Sequence, residues 1–156
     1  MTAALTGGCA CGRVRYECNE RPLAELICHC RDCQYASGSA YAAALVVPTD
    51  RLTLSGAEPR YYEVKASSGR TMRRGFCEEC GSPVLIRRPE TPLVVFLQAS
   101  SLDDPSTFSP SSEVWTSRAY PWHHLHPDTE RFEEGPSHEA VRAPIEAYFA
   151  SRKGAA

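Results

Sequence analysis

Between Arg13 and Cys18, the apolar Val14, Tyr16 and Cys18 alternate with Arg13, Arg15 and Glu17. A period of two belongs to a strand that lays one face on a core. Cys18 is therefore read as a small buried hydrophobe and not as a ligand. Further alternating or apolar runs fall at 40–47 (AYAAALVV), 51–54 (RLTL), 60–64 (RYYEV), 71–76 (TMRRGF), 83–88 (PVLIRR) and 93–98 (LVVFLQ). The links between them, such as SGAEP and KASSG, are short and rich in turn-forming residues. Many short strands with brief links predict an antiparallel sheet or sandwich, not a fold that alternates strand and helix. Two segments read as helical: RDCQYAS at 31–37, and SHEAVRAPIEAYFASRK at 137–153. The second carries Val141, Ile145, Tyr148 and Phe149 on one stripe, and Pro144 either kinks it or opens its final stretch. With no repeat, low-complexity tract or linker, residues 1–156 are expected to form a single domain.

The charge balance narrows the range of partners. A formal net charge of −2 gives no electrostatic case for nucleic acid, and seven thiolates on two divalent ions would take it to roughly −5. No apolar stretch reaches the roughly 18 residues of a membrane span, and MTAALTGG lacks a basic, apolar leader. A cytoplasmic chain that binds neither nucleic acid nor membrane is expected. Nothing in the pattern fixes its oligomeric state. In a reducing compartment the eight cysteines point to metal and not to disulfides.

Seven of those cysteines fall in three tight groups: CAC at 9–11, CHCRDC at 28–33 and CEEC at 77–80. Glycines flank the outer two groups (Gly7, Gly8, Gly12 and Gly81), where they let the chain turn sharply enough for neighbouring sulfurs to converge on one ion. Cys9, Cys11, Cys77 and Cys80 then make a closed four-thiolate zinc site of the structural kind. That leaves Cys28, Cys30 and Cys33 as a three-ligand site with one position open, the usual arrangement of a reactive zinc. Three thiolates give the complex a net charge of about −1, which favours holding a substrate thiol as a thiolate over activating water. Other ligand sets remain open. His29, or one of His123, His124, His126 and His138, is available to close the second site, and an iron–sulfur cluster is the remaining rival.

These stretches, GGCACGRVRYEC (7–18), CHCRDCQYASG (28–38), LTLSGAEPRYY (52–62), GFCEECGSPV (75–84) and EVWTSRAYPWHHLHPDTERFEEGP (113–136), resemble the glutathione-dependent formaldehyde-activating enzyme family, which also includes centromere protein V. The resemblance implies a zinc-stabilised β-tent of antiparallel sheets, with short helices including one near the C-terminus. It implies a structural zinc on Cys9, Cys11, Cys77 and Cys80 and a second, catalytic zinc on Cys28, Cys30 and Cys33. The implied activity is that of a carbon–sulfur lyase that joins glutathione and formaldehyde as an S-hydroxymethyl adduct. Relatives often open the late segment with a histidine where this chain has Glu113. Arg31, Arg73, Arg74 and Arg118 are candidate partners for the carboxylates of glutathione, and Trp115, Tyr120 and Trp122 are candidate pocket walls. A different thiol or aldehyde is the nearest alternative substrate. From another class, the alternative is a noncatalytic, zinc-stabilised module that binds a protein.

Overall fold

The computed structural model describes residues 5–135 and 138–153. The alternation at 14–18 is realised as a strand whose Val14, Tyr16 and Cys18 are 1%, 2% and 0% exposed. This strand, β2 (Val14–Cys18), pairs antiparallel with β1 (Leu5–Gly8) and β5 (Leu52–Gly56) in a three-stranded sheet. The other sheet has eight strands. From one edge they run β11 (Glu130–Phe132), β10 (Ser112–Val114), β3 (Ala24–Cys28), β4 (Ala42–Pro48), β9 (Val94–Gln98), β8 (Pro83–Arg87), β7 (Thr71–Phe76) and β6 (Arg60–Lys65). All these pairings are antiparallel except those of β10, which lies parallel to both β3 and β11. The expected mainly β fold with short helices is present, and the large sheet is mixed.

The apolar run of β4 follows from burial on both sides. Leu45 and Val47 join Val14, Tyr16 and Cys18 in the core between the two sheets. Val46 faces the other way, with Ile86, Val94 and Phe96, towards Ile145 and Phe149 of the C-terminal helix. A strand covered on both faces has no polar side to show, so it reads as a continuous hydrophobic run. That helix, α2 (His138–Lys153), continues through Pro144. Ile145 and Phe149 are partly buried, which contributes on the order of 1 kcal/mol each. Ser137, the first residue of the predicted helix, lies outside the described residues, as do the side chains of His138 and Val141. No helix among the described residues is long and apolar enough to cross a membrane.

Helix α1 (Arg31–Ser37) occupies the segment predicted for it and follows directly on β3. Gly38 ends it in the left-handed conformation, φ 64°, and its N–H caps the Gln34 carbonyl. The elbow from β3 to α1 thus holds residues 28–33.

Candidate functional site

Two turns of similar construction bring the outer cysteines together. In the turn from β1 to β2, the Cys9 N–H donates to the Val14 carbonyl (3.0 Å) and the Gly12 N–H donates back to Cys9 (3.0 Å). In the turn from β7 to β8, Cys77 and Ser82 make the same kind of bond (3.0 Å), and the Gly81 N–H closes on Cys77 (2.8 Å). Gly12 and Gly81 have φ of 76° and 72°, a region costly for residues with a Cβ. The Ser82 hydroxyl accepts from the Ala10 N–H at 3.1 Å and so ties one turn to the other.

The sulfurs of Cys9, Cys11, Cys77 and Cys80 all lie within 4.8 Å of one another. Cys9 to Cys11 is 3.5 Å and Cys11 to Cys77 is 3.7 Å. A tetrahedron with metal–sulfur bonds near 2.3 Å has edges of roughly 3.8 Å, so this donor set fits a zinc-sized ion. The eight cysteines are free thiols. The Val14 N–H points at the Cys9 sulfur (3.2 Å), and the Ser82 hydroxyl lies 3.2 Å from the Cys80 sulfur. The bond with Ser82 is the main reason the Cys80 thiol is lowered to about 5. Burial opposes ionisation of Cys9, but the Val14 amide and the thiols of Cys11 and Cys77 outweigh it and lower its pKa.

The second set, Cys28, Cys30 and Cys33, sits on the elbow, half-buried, with its sulfurs also within 4.8 Å of one another. Cys28 ends β3, Cys30 is the N-cap of α1, and Cys33 lies in the first turn, donating its N–H to the Cys30 sulfur at 3.4 Å. Hydrogen bonds from the Cys28 and Cys33 thiols lower Cys30 to about 2. By the same bonds Cys28 is pushed up to about 12 and Cys33 is also raised. Within the cluster these bonds favour negative charge on Cys30 and oppose it on Cys28 and Cys33. A divalent cation is the ordinary way for such a cluster to ionise fully. Among the described residues, no fourth Cys, His, Asp or Glu joins this set.

His29 does not bend back to close it. Its fully buried ring donates from Nε2 to Glu113, itself 0% exposed, at 2.5 Å. Among the described residues His29 Nδ1 is buried without a hydrogen-bond partner, and its ring lies against Tyr41 and His123, with centroids 5.8 and 5.4 Å away. Burial opposes ionisation of Glu113, but His29, the His126 N–H and the Thr129 hydroxyl outweigh it and hold its pKa below the ordinary carboxylate value. His126 Nδ1 accepts from the Asp128 N–H. Neither His124 nor His126 groups with the cysteines.

Beside α1 opens a cleft of about 570 Å³ whose walls include Arg31, Tyr35, Tyr41, Tyr120, Trp122 and His123. Tyr120 and Trp122 stack at 4.9 Å, and the Arg31 guanidinium lies 4.2 Å from the centre of the Tyr35 ring. One Arg31 nitrogen donates to the Gln34 side chain (2.8 Å) and to the Tyr120 hydroxyl, and the Tyr35 side chain also hydrogen-bonds the guanidinium. Of the four arginines singled out from sequence, only Arg31 lines this cleft. Arg73 pairs with Glu63 (3.6 Å), and Arg74 donates to the Asp32 carbonyl (3.2 Å). Tyr120 and Trp122 line the cleft, while Trp115 does not. The sequence reading missed the Glu113–His29 pair, Thr129, Tyr35 and Tyr41. Its only signal for any of these was the carboxylate at 113, where relatives often carry histidine.

The solved crystal structure of a Rhodobacter sphaeroides protein superposes with a TM-score of 0.53 at 19% identity, covering 70% of this chain and 99% of that one, a likeness of fold alone. A Halomonas elongata protein named "Putative glutathione-dependent formaldehyde-activating enzyme" is 33% identical over 103 residues. That match spans 64% of this chain and 66% of the relative's length. The family profile described as glutathione-dependent formaldehyde-activating enzyme matches residues 4–118, a span that holds both cysteine sets, α1 and Glu113. The chain belongs to the glutathione-dependent formaldehyde-activating enzyme family.

Proposed function

We propose that this chain is a zinc-dependent carbon–sulfur lyase that condenses glutathione, or a similar thiol, with formaldehyde or another small aldehyde. On this reading residues 1–156 act as one domain in the cytoplasm. Cys9, Cys11, Cys77 and Cys80 hold a structural zinc, and Cys28, Cys30 and Cys33 hold a catalytic one. The observation that carries it is the half-exposed three-sulfur set, with no fourth protein ligand among the described residues, on the elbow into α1; Arg31, Gln34 and Tyr35 of that helix line the aromatic cleft, although none of the three cysteines does. Bound by the second set, zinc would supply the positive charge that keeps an incoming thiol ionised near neutral pH.

The chain's own residues do the rest. Arg31 offers its guanidinium charge to a carboxylate of the thiol substrate, while Tyr35 and Tyr120 hold the group in place. Tyr41, Trp122 and His123 wall the cleft and limit the positions open to the aldehyde. In the reaction the thiol sulfur bonds to the aldehyde carbon and the carbonyl oxygen takes up a proton, equal in number to the one the thiol gave up. No redox partner is required. The test is magnetisation-exchange spectroscopy of glutathione with formaldehyde, a reaction that also runs unaided. Acceleration above the spontaneous rate, lost in Cys28→Ser and Cys33→Ser, is the expected result. Acceleration with a different thiol alone would reassign the substrate, and none with any thiol would refute the reading.

A further inference from the structure

We infer that Glu113 is a positioning residue that holds the cysteine elbow in register with the wall of the cleft, an inference that rests on the function proposed above. A carboxylate 0% exposed to solvent is costly to bury unless its oxygens are met by donors. Glu113 meets three, and they come from two places. One oxygen accepts from His29 Nε2 at 2.5 Å. The other accepts from the His126 N–H at 2.5 Å and from the Thr129 hydroxyl at 3.0 Å.

His29 stands between two of the three elbow cysteines, and its backbone is gripped on both sides. Its N–H donates to the Val114 carbonyl (3.0 Å), and its carbonyl accepts from the Gln34 side chain (2.9 Å). The same Gln34 amide also reaches the Arg118 carbonyl at 3.1 Å. With the ring anchored to Glu113, rotation of the two peptides between Cys28 and Cys30 is restrained, so β10 helps to set the direction of both sulfurs.

The second oxygen governs the returning loop. After Val114 the chain turns at Trp115, whose left-handed φ of 59° is rare and strained for a bulky residue. It then passes through Tyr120, Trp122 and His123 on the cleft wall and comes back to Glu113 at His126. A single buried side chain thus binds the segment carrying the sulfurs and the segment carrying the aromatic wall. An apolar residue would fill the space without fixing either direction. Groups hydrogen-bonded directly to a metal's ligands are typically worth 10- to 100-fold in metal affinity or activity, and Glu113 acts one residue further out.

The test uses the full chain loaded with cobalt(II), whose thiolate bands report on the second set. Glu113→Gln exchanges the charge-assisted bond to His29 for a neutral one, and keeps even that only if the ring proton moves to the buried Nδ1. It is expected to lower cobalt affinity at Cys28, Cys30 and Cys33 by up to about 10-fold and to shift those bands, with the four-cysteine set unchanged. Thr129→Val removes only the loop-side hydroxyl. It is expected to raise the KM for glutathione several-fold and to leave the second-set cobalt bands as in the wild type. Wild-type affinity and bands in Glu113→Gln would overturn the inference. If that variant fails to fold, an unchanged KM in Thr129→Val would overturn it instead. A wild-type chain that accelerates no thiol would sink the proposed function, while the cobalt affinity of Glu113→Gln would still decide the positioning role.

Discussion

Replacing Cys80 with serine should cost far more stability than replacing Cys30. On the proposed reading, the four-cysteine set is a long-range cross-link: Cys11 and Cys77 stand 66 positions apart. The chain-entropy relation used for covalent cross-links gives about 4 kcal/mol for a loop of that length. The span from Cys28 to Cys33 is five positions, and the same relation gives about 2 kcal/mol at most. For a chain of this length each kcal/mol moves Tm by roughly 2–4 °C. Cys80→Ser should therefore lower Tm by roughly 8–16 °C, and Cys30→Ser by at most about half as much. The assay is thermal unfolding of wild type and both variants, with metal and with excess chelator. In chelator the cross-link is gone from all three proteins, so wild type and Cys80→Ser should agree within about 0.5 kcal/mol. Equal losses in the two variants, or a gap that survives the chelator, would refute the assignment of the first set as the cross-link.

Three further outcomes follow from other parts of the molecule. Burial pushes the Tyr16 hydroxyl up to about 12, against about 10 in an unfolded chain, and the folded state therefore binds that proton more tightly. Its contribution is fully present below pH 10 and is lost as pH rises to 12, roughly 2–3 kcal/mol in all; denaturant unfolding of metal-loaded Tyr16→Phe should lack this alkaline loss. Arg31→Met should raise the KM for glutathione by about 10-fold or more with little change in kcat, and the two proteins should converge on a thiol whose carboxylates are esterified. A Cβ on Gly7 would stand 2.2 Å from the Ser101 carbonyl oxygen and 2.3 Å from the Tyr16 hydroxyl, whereas one on Gly12 would meet nothing within 4 Å. Urea unfolding should show Gly7→Ala losing about 1–3 kcal/mol, and Gly12→Ala only the roughly 1 kcal/mol of its left-handed backbone.

What was legible in the chain depended on how local the cause was. The strand at 14–18 announced itself because one face is buried and the other wet, and β4 did so because both faces are buried. Helix α1 was legible to the residue, since its N-cap and Gly38 stop lie within one short stretch. The strands β3, β10 and β11 were not. β10 is three residues long and buries a glutamate, so its polar centre contradicts the pattern by which strands are recognised. The grouping of the cysteines was readable in part for the same local reason, because sulfurs two to five positions apart can share one volume where a tight turn or elbow allows it. The Glu113–His29 pair spans 84 positions and exists only through the parallel pairing of β10 with β3. No periodicity encodes that contact.

The two cysteine sets also differ in what the backbone supplies before any ion is present. The first is assembled from two glycine turns belonging to opposite parts of the fold, and the Ser82 bond to Ala10 joins them directly. The second is contiguous in sequence and held from several sides: by β3 pairing with β4 and β10, by the α1 N-cap, and by the grips on His29. On the proposed reading, losing an ion from the first set would free a long loop and tie its exchange to partial unfolding. Losing one from the second would leave the elbow standing. A site whose shape persists without its metal would keep its open position ready for a substrate at each turnover, and that difference in backbone support is the physical argument for the proposal that the chemistry belongs to Cys28, Cys30 and Cys33.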